Sequence, residues 1–241
     1  MKSSMVLLLA AGMLLPVLLS AQAVKGCSQQ GVITPTFDAK NFPGPTTINN
    51  RYFPLIPGTT LVYESTQGKQ ERVEVVVTHD TRKILKVDCV IVRDTVSVAG
   101  EVVEDTLDYF AQDKDGNVWY LGEDSKEIEG GVVVGTAGSW LAGVDGATPG
   151  FIMKAQPLVG DAYRQENAPG TAEDTARVVS LTGSVSVPYG SWQGNVVVTN
   201  ECTPLEPKVT EEKDYALDVG LVRTLKVKGG SGESVLVAIT Q

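Results

Sequence analysis

The chain of 241 residues contains one histidine, three cysteines and few aromatic residues, 6% in all. A single histidine excludes multi-histidine metal centres and leaves one candidate base for any serine nucleophile. That residue, His79, sits in Thr78-His79-Asp80-Thr81, a polar strand end where a solvated imidazole is the expected state. Neither a G-x-S-x-G elbow nor a phosphate-cradling glycine loop occurs, and no long stretch carries a helical apolar stripe. Basic residues are also scarce, 20 Lys and Arg against 29 Asp and Glu, for a net charge of −9. Such a balance argues against nucleic acid or an anionic membrane face as partner. No catalytic residue and no cofactor is expected, and the chain reads as non-enzymatic.

What is present begins with a leader. Lys2 supplies a positive n-region, residues 5–19 an apolar h-region, and Ala21-Gln22-Ala23 a small-x-small cleavage site, so residues 1–26 read as a signal peptide. The apolar run is short for a stable membrane span. Two processing routes stay open. In one, Val24-Lys25-Gly26-Cys27 acts as a lipoprotein box and Cys27 is lipidated, although Val24 stands where Leu is usual and Lys25 is atypical. In the other, cleavage follows Ala23 and Cys27 keeps its thiol. Parity favours the first, because lipidation of Cys27 leaves Cys89 and Cys202 to pair as a disulfide in an oxidising compartment. The expected location is the cell envelope, periplasmic or outer-surface, or the secreted fraction. Membrane contact would come only through a lipid anchor at Cys27.

Residues 27–49 hold Pro35, Pro43, Pro45, Gly31 and Gly44 among polar residues and read as a flexible tether. A single β domain is expected over 50–241. Strands are predicted at 59–65, 72–78, 89–98, 102–111, 117–121, 132–135, 177–181, 195–199, 213–216, 221–228 and 235–239, all rich in Val, Thr, Ile and Tyr. Turns are written in Gln67-Gly68-Lys69, Ala99-Gly100-Glu101 and Asp115-Gly116-Asn117. Alternation in 223–228 points Leu225 and Val227 one way and Thr224, Lys226 and Lys228 to water. The unbroken runs Val90-Ile91-Val92 and Val132-Val133-Val134 suggest strands covered on both faces.

The sequence also echoes itself. Pro54-Leu55 with Gly58 and Tyr63 returns as Pro157-Leu158 with Gly160 and Tyr163. Asp108-Tyr109 with Gly116 and Val118 returns as Asp214-Tyr215 with Gly220 and Val222. Both echoes are spaced by about 105 residues, as in a duplicated unit. The fold expected is therefore all-β: antiparallel meanders in two pseudo-repeated halves, about 50–135 and 153–241, forming a sandwich or an incompletely closed barrel.

Three features invite a functional reading. Asp113, Asp115 and Asn117 alternate as in a calcium loop, but Asp124 stands where a bidentate Glu is expected, and an Asp-Gly hairpin turn explains the run more simply. Trp140, in the glycine-spaced stretch 135–153, is a ligand-binding candidate, either a stacking platform or a core plug between the halves. Glu101, Glu104, Asp105 and Asp108, with Glu123, Asp124, Glu127 and Glu129, could supply the carboxylate pair of a hydrolase; solvated strand faces account for them equally.

The order Tyr52-Phe53-Pro54-Leu55, then 108–120 with Asp108-Tyr109-Phe110-Ala111-Gln112-Asp113, then Gly143-Val144-Asp145-Gly146, Val187-Pro188-Tyr189-Gly190 and Thr203-Pro204-Leu205-Glu206, resembles an uncharacterised group of exported bacterial all-β proteins. The resemblance runs along nearly the whole chain after the leader. It implies export and one β module, and no activity is assigned to that group. More loosely, the opening Pro-Leu-x-x-Gly with a following Tyr resembles envelope lipoproteins built as curled sheets, some of which carry lipids; fold alone does not fix function. The leading expectation is an exported module that binds a protein partner or an apolar ligand in the concavity of its sheet. The alternatives are a carbohydrate-binding or matrix protein and, behind it, an acid-dependent hydrolase.

Overall fold

In the computed structural model, residues 27–44, 47–68 and 70–241 are described. The expected signal peptide, 1–26, lies outside the described residues, as does Lys69 of the first predicted turn. Among the described residues regular structure is almost entirely β; their single 3-10 turn, Ala39–Asn41, is capped by Asp38, whose side chain accepts the Lys40 N–H.

Strands β1 (Ile48–Asn50) and β2 (Phe53–Leu55) pair as a small ribbon that buries Ile48 and Leu55. The large sheet starts with a meander of β3 (Thr60–Ser65), β4 (Glu71–Ile84), β5 (Val87–Val98), β6 (Glu101–Gln112) and β7 (Val118–Glu129). Short strands β8 (Val132–Gly135) and β9 (Trp140–Leu141) pair onto β7, as does β10 (Thr148–Met153). After β11 (Ala162–Arg164) and β12 (Glu166–Asn167), a second meander runs through β13 (Thr175–Val187), β14 (Gly190–Cys202), β15 (Thr210–Ala216), β16 (Gly220–Lys228) and β17 (Glu233–Thr240). All eleven predicted strands are present, most of them longer than expected.

The two meanders join edge to edge rather than face to face. β17 pairs antiparallel with β3, Leu236 opposite Tyr63. At the other seam the extended segment 162–167 serves both sides: β11 pairs with β13, and β12, one residue later, pairs with β10. The sheet is thereby curled until it all but closes as a barrel. Close approach at this seam requires a residue without a side chain. A Cβ on Gly150 would collide with the carbonyl oxygens of Arg164 and Gln165. Bulges bend the long β13–β14 hairpin around Gly183, and its tip residues Val185 and Val187 fold back into one core with Val222 and Leu236.

Several expectations need correction. Residues 27–44 are not a free tether. Cys27 is disulfide-bonded to Cys202 with Cα atoms 5.4 Å apart, Ile33 pairs in parallel with Tyr163, and Phe37 and Phe42 both pack edge-on against Trp119. Apolar residues spaced through a proline-rich run have found a surface to cover. The expected Cys89–Cys202 bond is thus replaced by Cys27–Cys202, and a sulfur committed to that bond is not available for lipidation at Cys27. Cys89 is a free thiol at 0% exposure, facing the first core rather than Cys202. Val132, Val133 and Val134 are exposed, because β8 lies at the tip of a hairpin that has only β7 beside it. Val90 and Val92 are buried, whereas Ile91 on the opposite face is half-buried. Thr224 faces the interior instead of water.

The strand order is the same in the two halves, but the echoed dipeptide is not at equivalent positions. Asp108 faces the barrel interior, whereas Asp214 alternates with the inward Lys213 and pairs with Arg223 on the opposite face. A shift of one residue in a strand exchanges its faces.

Candidate functional site

The concavity of the curled sheet holds a cavity of about 350 Å³ between the two meanders. One wall is apolar, made by Leu61 and Tyr63 on β3, Val73 and Val75 on β4, and Phe110 on β6. Leu221 on β16 closes it from the second half, its carbonyl accepting the Tyr63 hydroxyl at 2.9 Å. Deeper in, the lining turns polar with Asp94, Asp108 and Lys213. Glu71, Glu211, Thr224 and Ser234 are shared with an adjoining recess of about 290 Å³, which makes them the mouth.

Strand alternation places these side chains. On β6 the inward positions are Glu104, Thr106, Asp108 and Phe110, while Leu107, Tyr109 and Ala111 face the other side into the first core. On β5 the inward set includes Val92 and Asp94, and Asp94 stands opposite Thr106, a diagonal neighbour of Asp108. Asp94 Oδ1 is shielded from solvent and has no hydrogen-bond partner among the described residues.

Behind Asp108 lies a carboxyl pair. The Tyr120 hydroxyl is 2.5 Å from Asp108 Oδ1 and 3.0 Å from Glu123 Oε2. A phenol carries one proton, so both contacts are filled only when one of the two carboxyls carries a proton of its own. Burial pushes Asp108 up to about 7, Glu123 and Glu104 adding to the rise against the Tyr120 hydrogen bond. Glu123 rises to about 7 through burial and the charges of Glu104, Asp174 and Asp94. Asp94 also rises to about 7, from burial and then Asp108 and Glu104, with Lys213 opposing.

Across the cavity the one lysine is already engaged. Lys213 Nζ is 2.8 Å from Glu201 Oε2, and Glu201 also accepts from the hydroxyls of Thr199 and Tyr215. Burial alone would raise Glu201, but Lys213 and these donors hold it below its ordinary value.

Trp140 is not offered to a ligand. It is buried at 7% exposure, donates its indole N–H to Glu166 at 3.3 Å and packs edge-on against Tyr120. Its role is to hold β9 against the acid-lined interior, which removes the stacking platform on which the carbohydrate alternative rested. Asp113 accepts four hydrogen bonds, from the backbone N–H groups of Asp115 and Asn117, the Asn117 amide and the Trp119 indole. Its oxygens hold the turn. Among the described residues no group of three or more His, Cys, Asp or Glu is placed to hold a metal ion.

His79 is exposed, as are Glu101, Glu127 and Glu129, and Asp105 pairs with Arg93 on the outer face. Of the predicted acids, Glu104, Asp108 and Glu123 converge, and of these only Asp108 lines the cavity. Asp94, Tyr120, Glu201 and Lys213 escaped the sequence reading. The available signal was their phase along the strand: Asp94 shares its face with Val92, and Lys213 shares its face with Tyr215.

No family model and no curated protein matches the chain. Among solved structures it is similar to a "putative exported protein with YmcC-like fold" from Bacteroides fragilis, at 17% identity and a TM-score of 0.44, and to a "putative lipoprotein" from Parabacteroides distasonis, at 14% identity and a TM-score of 0.39. Each likeness covers 82% of this chain and 100% of the other.

Proposed function

We propose that the protein is an exported, non-enzymatic β module that binds an apolar or amphiphilic small molecule in the concavity of its sheet. The observation that carries this reading is the cavity of about 350 Å³, whose apolar wall is supplied jointly by β3, β4 and β6 on one side and β16 on the other. Small-molecule sites are concave, mostly apolar and furnished with a few polar groups, and they fall in the mouths of barrels. A leader sequence and a Cys27–Cys202 disulfide, which persists in oxidising surroundings, both support export.

Catalysis is less well supported. Asp108 and Glu123 are spanned by Tyr120, but only one of them reaches the cavity, and the single histidine is exposed within β4, not at the strand end expected, and does not line the cavity.

The test is binding of a neutral fluorescent apolar probe, N-phenyl-1-naphthylamine, followed by its emission. The unaltered protein should give a saturable enhancement with one site. Val73→Trp, which fills the wall, should abolish that enhancement while leaving the circular dichroism unchanged. Enhancement that persists in the filled variant would move binding elsewhere, and none in either protein would end the reading.

A further inference from the structure

The cavity is asymmetric in charge as well as polarity. Its deep end presents Asp94 and Asp108 from adjacent strands, diagonal neighbours on the same face, and the Asp94 Oδ1 atom is shielded and without a partner. Among the described residues the only cation lining the cavity, Lys213, is ion-paired with Glu201, and its remaining pull on Asp94 is outweighed by burial and the neighbouring carboxylates. The apolar wall begins directly beside them with Val92, Phe110 and Val75.

We propose that the occupant is a small amphiphile with a protonated primary amine, its ammonium seated between Asp94 and Asp108 and its hydrocarbon body along Leu61, Tyr63, Val73 and Val75. This rests on the binding reading above and names the ligand class for the same site. An ammonium brings three N–H donors, enough to bridge the Asp94 and Asp108 carboxylates together. A quaternary ammonium has no such donor. An alcohol brings one, and a carboxylate head would meet two like charges, so each neighbouring class of ligand is disfavoured for a different reason. A metal ion fits poorly, since among the described residues no three ligating side chains are suitably grouped.

Proton linkage follows from the same geometry. Facing Asp94 are Glu104 and Asp108 on β6, Glu123 on β7, and Lys213 with its partner Glu201 across the cavity; Tyr63 and Glu71 approach from β3 and β4. In the empty site the two aspartates are held partly protonated near neutrality, and an ammonium would displace those protons. Amine affinity should therefore rise with pH through the neutral range.

Isothermal titration of the purified full-length mature protein with octylamine, octanol and octanoate decides the matter. At about pH 8 octylamine should bind at least tenfold more tightly than octanol, and octanoate most weakly; at about pH 5 the advantage of the amine should shrink severalfold. Asp94→Asn should bring the amine down to the level of the alcohol while leaving octanol within about twofold, and Val73→Trp should remove both. Equal binding of amine and alcohol at about pH 8, a preference for octanoate, or an amine preference that survives Asp94→Asn would overturn the amine assignment and leave the apolar cavity standing. Absence of binding by all three compounds would instead defeat the underlying binding reading.

Discussion

Tyr120 gathers the most consequential electrostatics in the molecule onto one hydroxyl. Asp108 and Glu123 compete for it, and Asp94 lies beside them in the same closed interior. All three carboxyls have folded values near 7 against ordinary values of 3.8 for the aspartates and 4.5 for the glutamate. A raised folded value means that the native state holds protons the unfolded chain has released. Their contribution to stability is fully present below about pH 4 and is lost as pH climbs through 7, the reverse of an ordinary salt-bridged acid. Urea unfolding at about pH 5 and pH 8 should show a fall on the order of 3 kcal/mol, and the double variant Asp94→Asn, Glu123→Gln should flatten most of that slope. Tyr120→Phe should cost about 1 to 3 kcal/mol, more at the higher pH, because it strips the one donor from the pair. These residues were hard to read from sequence because a polar residue alternating with apolar ones normally marks a solvent face. On β6 the apolar positions Leu107, Tyr109 and Ala111 do mark a core, but they lie on the face opposite the cavity, and the acidic face is the interior. Alternation gave the phase correctly; what lay on each side depended on curvature that sequence does not display.

Among the elements, the long strands carried strong signals and the seam carried weak ones. β4 to β7 and β13 to β17 are runs of Val, Thr and Ile between turn residues, and each was anticipated. β1, β2, β9, β11 and β12 have two or three residues apiece, too few to show a period, yet β11 and β12 make the seam and Glu166 of β12 anchors Trp140. The N-terminal strap misled for another reason: its prolines and glycines are those of a linker, and only tertiary contact with Trp119 and Cys202 reveals its task. Closing a loop of 175 residues, the Cys27–Cys202 bond should stabilise by about 5 kcal/mol on the chain-entropy argument. Reduction, or Cys202→Ser, should therefore lower the thermal midpoint by about 10 °C or more in scanning calorimetry, whereas Cys89→Ala should leave the response to reductant intact. The buried Cys89 thiol, pushed up to about 12 chiefly by burial, should stay unmodified by alkylating reagents until the protein unfolds. At the seam itself, Gly150→Ala should destabilise by about 2 kcal/mol or more and raise amide exchange across residues 162–167, where the added methyl would push against backbone that has no side-chain freedom to yield.

At the scale of the whole molecule, the echo between the halves suggests two units, whereas the sheet makes one. Neither meander owns an interior: Tyr63 of the first half sits opposite Leu236 of the second, Glu201 and Lys213 face Asp94 and Asp108, and both seams are hydrogen-bonded. Half the apolar wall would be open to water if one meander unfolded, and the edges of β3 and β10 would be stripped of partners, a costly state for any sheet. Unfolding should therefore be a single transition despite the twofold look of the sequence. The three tryptophans allow a direct check, since Trp119 and Trp140 belong to the first meander and its β9 extension, and Trp192 to the β13–β14 hairpin of the second. A variant retaining only Trp192 and one lacking only Trp192 should show fluorescence midpoints that coincide with each other once each is compared with its own circular dichroism transition. Two separated midpoints within one variant would mean that the halves are independent domains that merely share an edge. Refolding should also be slow, in the range of milliseconds to seconds or longer, because pairing Ser234 with Ser65 must bring together strands from opposite ends of the domain before either seam is rewarded.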